Sequence, residues 1–213
     1  MRPRIGLIDY GMGNLHSVQH AFKRLDRDLE VVRTPEDLHR CEALILPGVG
    51  AFDPAMHRLE QSGLVPVLKT WSETGKPLFG ICLGLQLLFE GSDEGLSAGL
   101  GLLKGQVRKL PDDQDEPIPH MGWAPLRQHQ PCPLLGKDAQ ESWVYFVHSY
   151  AAEPSDPAVL AADAPFGNHS VTAMVWKDRL GACQFHPEKS AVAGHHMLNR
   201  WLGWLDAGAV PLP

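Results

Sequence analysis

The chain has 213 residues, 44% hydrophobic and 21% charged, which suits one soluble core and no more than one large domain. A formal net charge of -6, with 19 Lys+Arg against 25 Asp+Glu, argues against nucleic-acid binding as its main business, because phosphates need a basic footprint. No stretch approaches the ~20 apolar residues of a membrane span, and Asp9 breaks the first apolar run too early for a secretory signal. Four scattered cysteines without a C-x-x-C pair point to the reducing cytoplasm rather than to a disulfide framework.

Strand-like and helix-like patterns alternate through the first 90 residues. "RIGLID" (4–9) reads as a strand, and 14–25 as a helix with Leu15, Val18, Phe22 and Leu25 on one face. A second strand (29–33) is followed by a short helix starting at Thr34-Pro35, a cap and an N1 proline. A third strand (42–47), helices near 54–61 and 64–74, and a fourth strand (77–81) complete this half. The strands are apolar rather than alternating, as in a mostly parallel sheet covered on both faces. The second half is β-rich, with strands expected at 101–110, 143–150, 171–177 and 179–185, the last two forming a hairpin around Lys177-Asp178. The acidic, proline-rich segment 111–120 reads as a surface loop, and Ser190 as the cap of a last helix carrying Met197, Leu198, Trp201 and Leu205 on one face. The expected fold is α/β: a single domain over 1–213, built on an open, mixed but mostly parallel, flavodoxin-like sheet flanked by helices, with a β-rich second half.

Gly80-Ile81-Cys82-Leu83-Gly84 has the G-x-S-x-G spacing of a nucleophile elbow, with cysteine in the serine position. A helix N-terminus favours a thiolate there, and the Leu83 N–H points to the same space as an oxyanion donor. A buried structural cysteine fits the five residues equally well. "QFHPEKS" (184–190) shifts the balance, because a nucleophilic thiol needs a base and the base an orienter. His186 at a strand end, with Glu188 two residues on, supplies both, and the combination favours a Cys-His-Glu triad. "LPGVGAF" (46–52) follows the third strand; alone it is an ordinary glycine turn, but beside a nucleophile Val49 becomes a candidate second oxyanion donor. All three segments sit at carboxyl ends of strands, where open α/β sheets build their sites.

Other features have plainer readings. "GMGNLH" (11–16) lacks the third glycine of a dinucleotide fingerprint, and no P-loop occurs. His16 and His20, like His195 and His196, read as solvated helix faces rather than metal ligands. Cys41, Cys132 and Cys183 read as structural, and Trp201 and Trp204 as helix packing.

"GICLGLQ", "PGVGAF" and "FHPE" together resemble the class I, triad-type glutamine amidotransferases. With "DYGMGNLHSV", "PHMGW" and "YFVHSY" added, the chain is most similar to the glutaminase subunits of imidazole glycerol phosphate synthases, over nearly its whole length. It departs in having Leu85 where Met is frequent and Ala124 where Asn is common. The resemblance implies hydrolysis of L-glutamine without cofactor or metal. Ammonia would pass to a separate (β/α)8-barrel cyclase subunit in a heterodimer that makes imidazole glycerol phosphate and AICAR for histidine biosynthesis. It assigns Cys82 as nucleophile, His186 as base and then acid, Glu188 as its orienter, and the N–H groups of Leu83 and Val49 as oxyanion donors. Gly50, Gln86, His148 and Ser149 would hold glutamine, and Asn14, Trp123, Tyr145 and Lys189 would meet the cyclase. The glycines around Val49 let that peptide turn, so its donor is expected in place only when the cyclase is bound. Competing readings are an amidotransferase serving another pathway, a cysteine peptidase sharing the elbow, and a non-catalytic interaction module.

Overall fold

The apolar runs of the first half become the parallel centre of a sheet covered on both faces, in a computed structural model that describes residues 2–112, 116–136 and 142–212. These strands are β1 (Ile5–Ile8), β2 (Leu29–Val32), β3 (Ala43–Gly48) and β4 (Leu78–Cys82). Later in the chain come β5 (Gly91–Ser92), β6 (Gly105–Lys109), β7 (His120–Pro125), β8 (Arg127–Gln128), β9 (Trp143–His148), β10 (Tyr150–Pro154), β11 (Leu160–Phe166), β12 (His169–Lys177) and β13 (Leu180–Cys183). The main sheet has eight strands in the order β2-β1-β3-β4-β13-β12-β11-β8, with β13 parallel to β4 and the last three extending it antiparallel. Smaller sheets, β10-β6-β5 and β7-β9, stand beside it.

Helices α1 (Leu15–Lys23), α2 (Phe52–Gln61), α3 (Leu64–Glu73), α4 (Leu83–Leu87) and α5 (Ala191–Asp206) complete the framework. Side chains alternate across a strand, so Ile45 joins one core with Phe22, Phe79 and Trp201, while Leu44 and Leu46 join the other with Phe52, Leu83 and Leu85. Trp201 is fully buried, edge-on to Phe22 with ring centroids 6.0 Å apart, which bears out its reading as packing.

Several boundaries differ from the sequence reading. The expected strand 143–150 is two strands, because the chain leaves one small sheet and enters another at Ser149. β11 was hidden by its composition, LAADAPF, whose alanines pack well against β12 but carry no strand signal. Ser190 does not cap α5 with its side chain; its hydroxyl accepts from the Tyr145 N–H (3.0 Å) and donates to the His186 carbonyl (2.7 Å). Within 111–120, residues 113–115 lie outside the described residues, and His120 already belongs to β7.

The elbow rests on Gly84. A Cβ there would lie 1.8 Å from the Leu46 carbonyl oxygen, in the backbone of a central buried strand. Gly84→Ala is therefore expected to cost about 3 kcal/mol or more in chemical denaturation. Gly203→Ala, with open space around the new Cβ, is expected to be neutral or stabilising by up to ~1 kcal/mol.

Candidate active site

Cys82 ends β4 at φ 56° and ψ -113°, a backbone conformation that non-glycine residues rarely adopt. It is buried at 7% exposure, and α4 begins at the next residue, so the helix leaves the Leu83 N–H without an internal partner. Parallel register sets Cys82 beside Gly48 of β3 and Ile81 beside Cys183 of β13. The ends of these three strands enclose a cavity of about 350 Å³ whose lining includes Val49, Gly50, Cys82, Leu83, His148 and His186. Gln86, Ser149 and one carboxylate absent from the sequence assignment, Glu94, line it as well.

His186 and Glu188 are brought together as expected: Nδ1 and Oε1 are 2.7 Å apart, and both side chains are almost inaccessible. The strand before them is shorter than expected, however, ending at Cys183, and Glu188 sits in a 3-10 turn (Pro187–Lys189). The His186 backbone N–H donates to the Tyr145 carbonyl (3.0 Å), so β9 anchors the main chain that carries the ring. Burial disfavours a charge on His186, but hydrogen bonding with Cys82 and Glu188 outweighs it and raises the imidazole pKa to about 10. A ring of this kind retains a proton through the neutral range. The other cysteines are also free and buried; burial pushes the Cys41 and Cys132 thiols up to about 11 and the Cys183 thiol well above its ordinary value.

Val49 lines the cavity, and its N–H donates to the Met12 carbonyl at 3.0 Å, so in this conformation of the free chain it is not available as an oxyanion donor. Gly50 next to it has φ +98°, a value glycine adopts without strain.

Gln184, which the sequence reading passed over, is fully buried beside the thiol, with Nε2 3.7 Å from Cys82 Sγ. Its Oε1 accepts from Gln86 Nε2 (3.0 Å), which also donates to the Tyr150 carbonyl (3.0 Å), so the Gln86 amide nitrogen braces the wall of the cavity. Its position two residues before His186 was the one available signal. His148 donates from Nδ1 to the same Tyr150 carbonyl (2.9 Å). Burial lowers the His148 pKa to about 3, helped by the neighbouring His120 and His186. The unfolded chain therefore takes up a proton below about pH 6.5 that the folded chain refuses, and stability falls as pH drops from there toward 3. The His148 ring is expected to keep the nitrogen chemical shifts of a neutral imidazole at pH 5; a protonated ring at that pH would contradict this environment.

The four residues carried over as partner contacts are spread around the site. Asn14 is exposed and caps α1, its Oδ1 accepting from the Ser17 N–H (3.3 Å). Trp123 and Tyr145 are cross-strand partners, with ring centroids 6.0 Å apart. With Met121 and Trp143 they form an apolar face on the β7-β9 sheet that is substantially exposed. Lys189 is exposed on the turn that carries Glu188. Ala124 points the other way, into the core, at 5% exposure.

A thiol on a strained strand-to-helix corner, in the cleft of a mostly parallel sheet, defines the chain first as an α/β protein of the cysteine-elbow class. Residues 6–203 match the family model "Glutamine amidotransferase class-I". The chain is 68% identical over 213 residues, all of both chains, to "Imidazole glycerol phosphate synthase subunit HisH 2" of Prochlorococcus marinus (strain MIT 9313). It is 61% identical, again over all of both, to the HisH subunit of Synechococcus sp. (strain CC9605). Among solved structures, a glutamine amidotransferase superposes with a TM-score of 0.73 at 22% identity, covering 95% of this chain and 98% of that one, a likeness of fold. The chain belongs to the class I glutamine amidotransferase family and, within it, to the HisH subunits of imidazole glycerol phosphate synthase.

Proposed function

We propose that the chain, as one amidotransferase unit over its length, hydrolyses L-glutamine to glutamate and ammonia in the cytoplasm. The ammonia goes to a (β/α)8-barrel cyclase subunit that makes imidazole glycerol phosphate and AICAR in histidine biosynthesis. The observation that carries the chemistry is the Cys82 elbow facing the same cavity as His186, itself held at 2.7 Å by the buried Glu188. Cys82 Sγ attacks the side-chain amide carbon, and His186 holds the proton taken from the thiol. The tetrahedral oxyanion collapses, the C–N bond breaks, and His186 gives that proton to the leaving ammonia. Water then attacks the thioester, His186 taking its proton, and the C–S bond breaks to release glutamate. The raised pKa of His186 suits the holding step, and Glu188 keeps Nε2 turned to the reaction.

The Leu83 N–H is one oxyanion donor, and Val49 becomes the second once its peptide turns away from Met12. Gly50, Gln86, His148 and Ser149 shape the glutamine pocket, and the Glu94 carboxylate faces the substrate's ammonium group. The cyclase docks on Asn14, Trp123, Tyr145 and Lys189, where the exposed apolar face of β7-β9 supplies an anchor.

A diazoketone analogue of glutamine tests the assignment. It is expected to label Cys82, and mass spectrometry should find Cys41, Cys132 and Cys183 unmodified; a label on any of those three instead would overturn the reading.

A further inference from the structure

We propose that His120 is a positioning residue for this glutamine pocket, acting through His148; the proposal rests on the functional reading above. His120 opens β7 directly opposite His148 of β9, and both are buried. His120 Nδ1 lies 3.1 Å from His148 Nε2, and His148 Nδ1 lies 2.9 Å from the Tyr150 carbonyl oxygen. A carbonyl only accepts, so the proton of a neutral His148 must sit on Nδ1. Its Nε2 is then an acceptor, and His120 must present a proton on Nδ1. Burial lowers the proton affinity of both rings, which keeps the pair neutral and the direction of donation single.

The chain of donors ends at a junction. The Tyr150 carbonyl that receives His148 also receives Gln86, and Gln86 leads through Gln184 to Cys82 Sγ. Tyr150 and His148 line the cavity, whereas His120 stands behind them. Its ring is stacked on Phe146 with centroids 4.8 Å apart and meets Phe166 at 5.2 Å. Phenylalanine would fill this aromatic site without burying a polar group, so the imidazole has to be explained by what its N–H does. Without that donor, His148 Nε2 is orphaned, and the ring recovers a partner only by changing tautomer or leaving its place. Either move withdraws Nδ1–H from Tyr150 and loosens the wall at 148–150.

The test uses the complete complex with its cyclase, in glutamine saturation curves for wild type, His120→Phe and His120→Asn. His120→Phe keeps the stacking and removes the donor; His120→Asn keeps a donor near the Nδ1 position. His120→Phe is expected to raise the glutamine KM about tenfold, with kcat within about threefold. His120→Asn is expected to bring KM most of the way back. Nitrogen NMR of His148 should show the Nδ1–H tautomer in wild type and in His120→Asn, and its loss in His120→Phe. A wild-type KM in His120→Phe overturns the proposal, as do equal losses in both variants with the same fall in thermal midpoint. Should His120→Phe not fold, an Nε2–H tautomer of His148 in the wild type is itself decisive against it. A wild type that does not turn over glutamine sinks the functional reading instead, while the tautomer measurement still decides the link between His120 and His148.

Discussion

Cys82→Ala is expected to lower glutamine-dependent synthesis by the complex by about 10⁴-fold or more and to leave ammonia-dependent synthesis intact. In the proposed mechanism the sulfur forms the covalent bond, and removing it leaves water to attack a stable amide directly. Residual rate would come from substrate binding and the oxyanion donors, and it is small by comparison. The fold has no stake in the sulfur itself: alanine keeps the Cβ at φ 56°, and Gly80 and Gly84, which make the turn possible, are untouched. In the proposed function the partner consumes ammonia however it arrives, so an ammonium salt should restore product. The measurement is glutamate release and cyclase product from the same preparation. Retained glutamate release would mean that the thiol is not the nucleophile; loss of both activities would mean that the corner matters to the interface rather than to the chemistry.

The second large effect is expected from the partner. Binding of the cyclase and its ligand should raise glutamine turnover about 10²–10³-fold, the range that one oxyanion donor is worth. In the free chain the Val49 N–H is bonded to the Met12 carbonyl, which leaves Leu83 as the remaining candidate donor. Turning the peptide breaks one backbone hydrogen bond, a net cost of about 1 kcal/mol, which a docking surface can offset. Met12 lies on the stretch just before Asn14, on the side where the cyclase is proposed to sit, so the contact that must break is within reach of the partner. Gly50, at φ +98°, gives the neighbouring linkage the freedom to follow. Equal turnover with and without the cyclase would remove this account, and with it the reason for the glycines around Val49.

Much of the first half was legible because short apolar runs and amphipathic helices leave different periods in a sequence. β1 to β4 and the helices between them fell within a few residues of where the pattern placed them. The second half was less so. β11 is mostly alanine, β7 contains a glycine and ends at a proline, and β9 and β10 form one continuous apolar stretch that changes sheets at Ser149. Which partner a strand finds is a long-range matter, and these strands gain their stability from the sheet they join rather than from their own composition.

The site divides along the same line. Cys82, His186, Glu188 and the glycines around them were legible only in combination: the elbow spacing alone fits a buried structural cysteine as well, and the histidine and glutamate at a later strand end are what favoured a triad. Ser190, Gln184 and His120 were not legible, since a serine before a helix, a glutamine in a strand-like run and a histidine in a loop each have commoner explanations. Their roles arise only when β9, β10 and β13 converge and every buried donor must find an acceptor. The same holds for Val49: the sequence by itself determined that its peptide has room to turn, through Gly48 and Gly50. Which way it points was decided by the tertiary structure, because the Met12 carbonyl comes from a loop more than thirty residues earlier and is the acceptor that happens to be within reach.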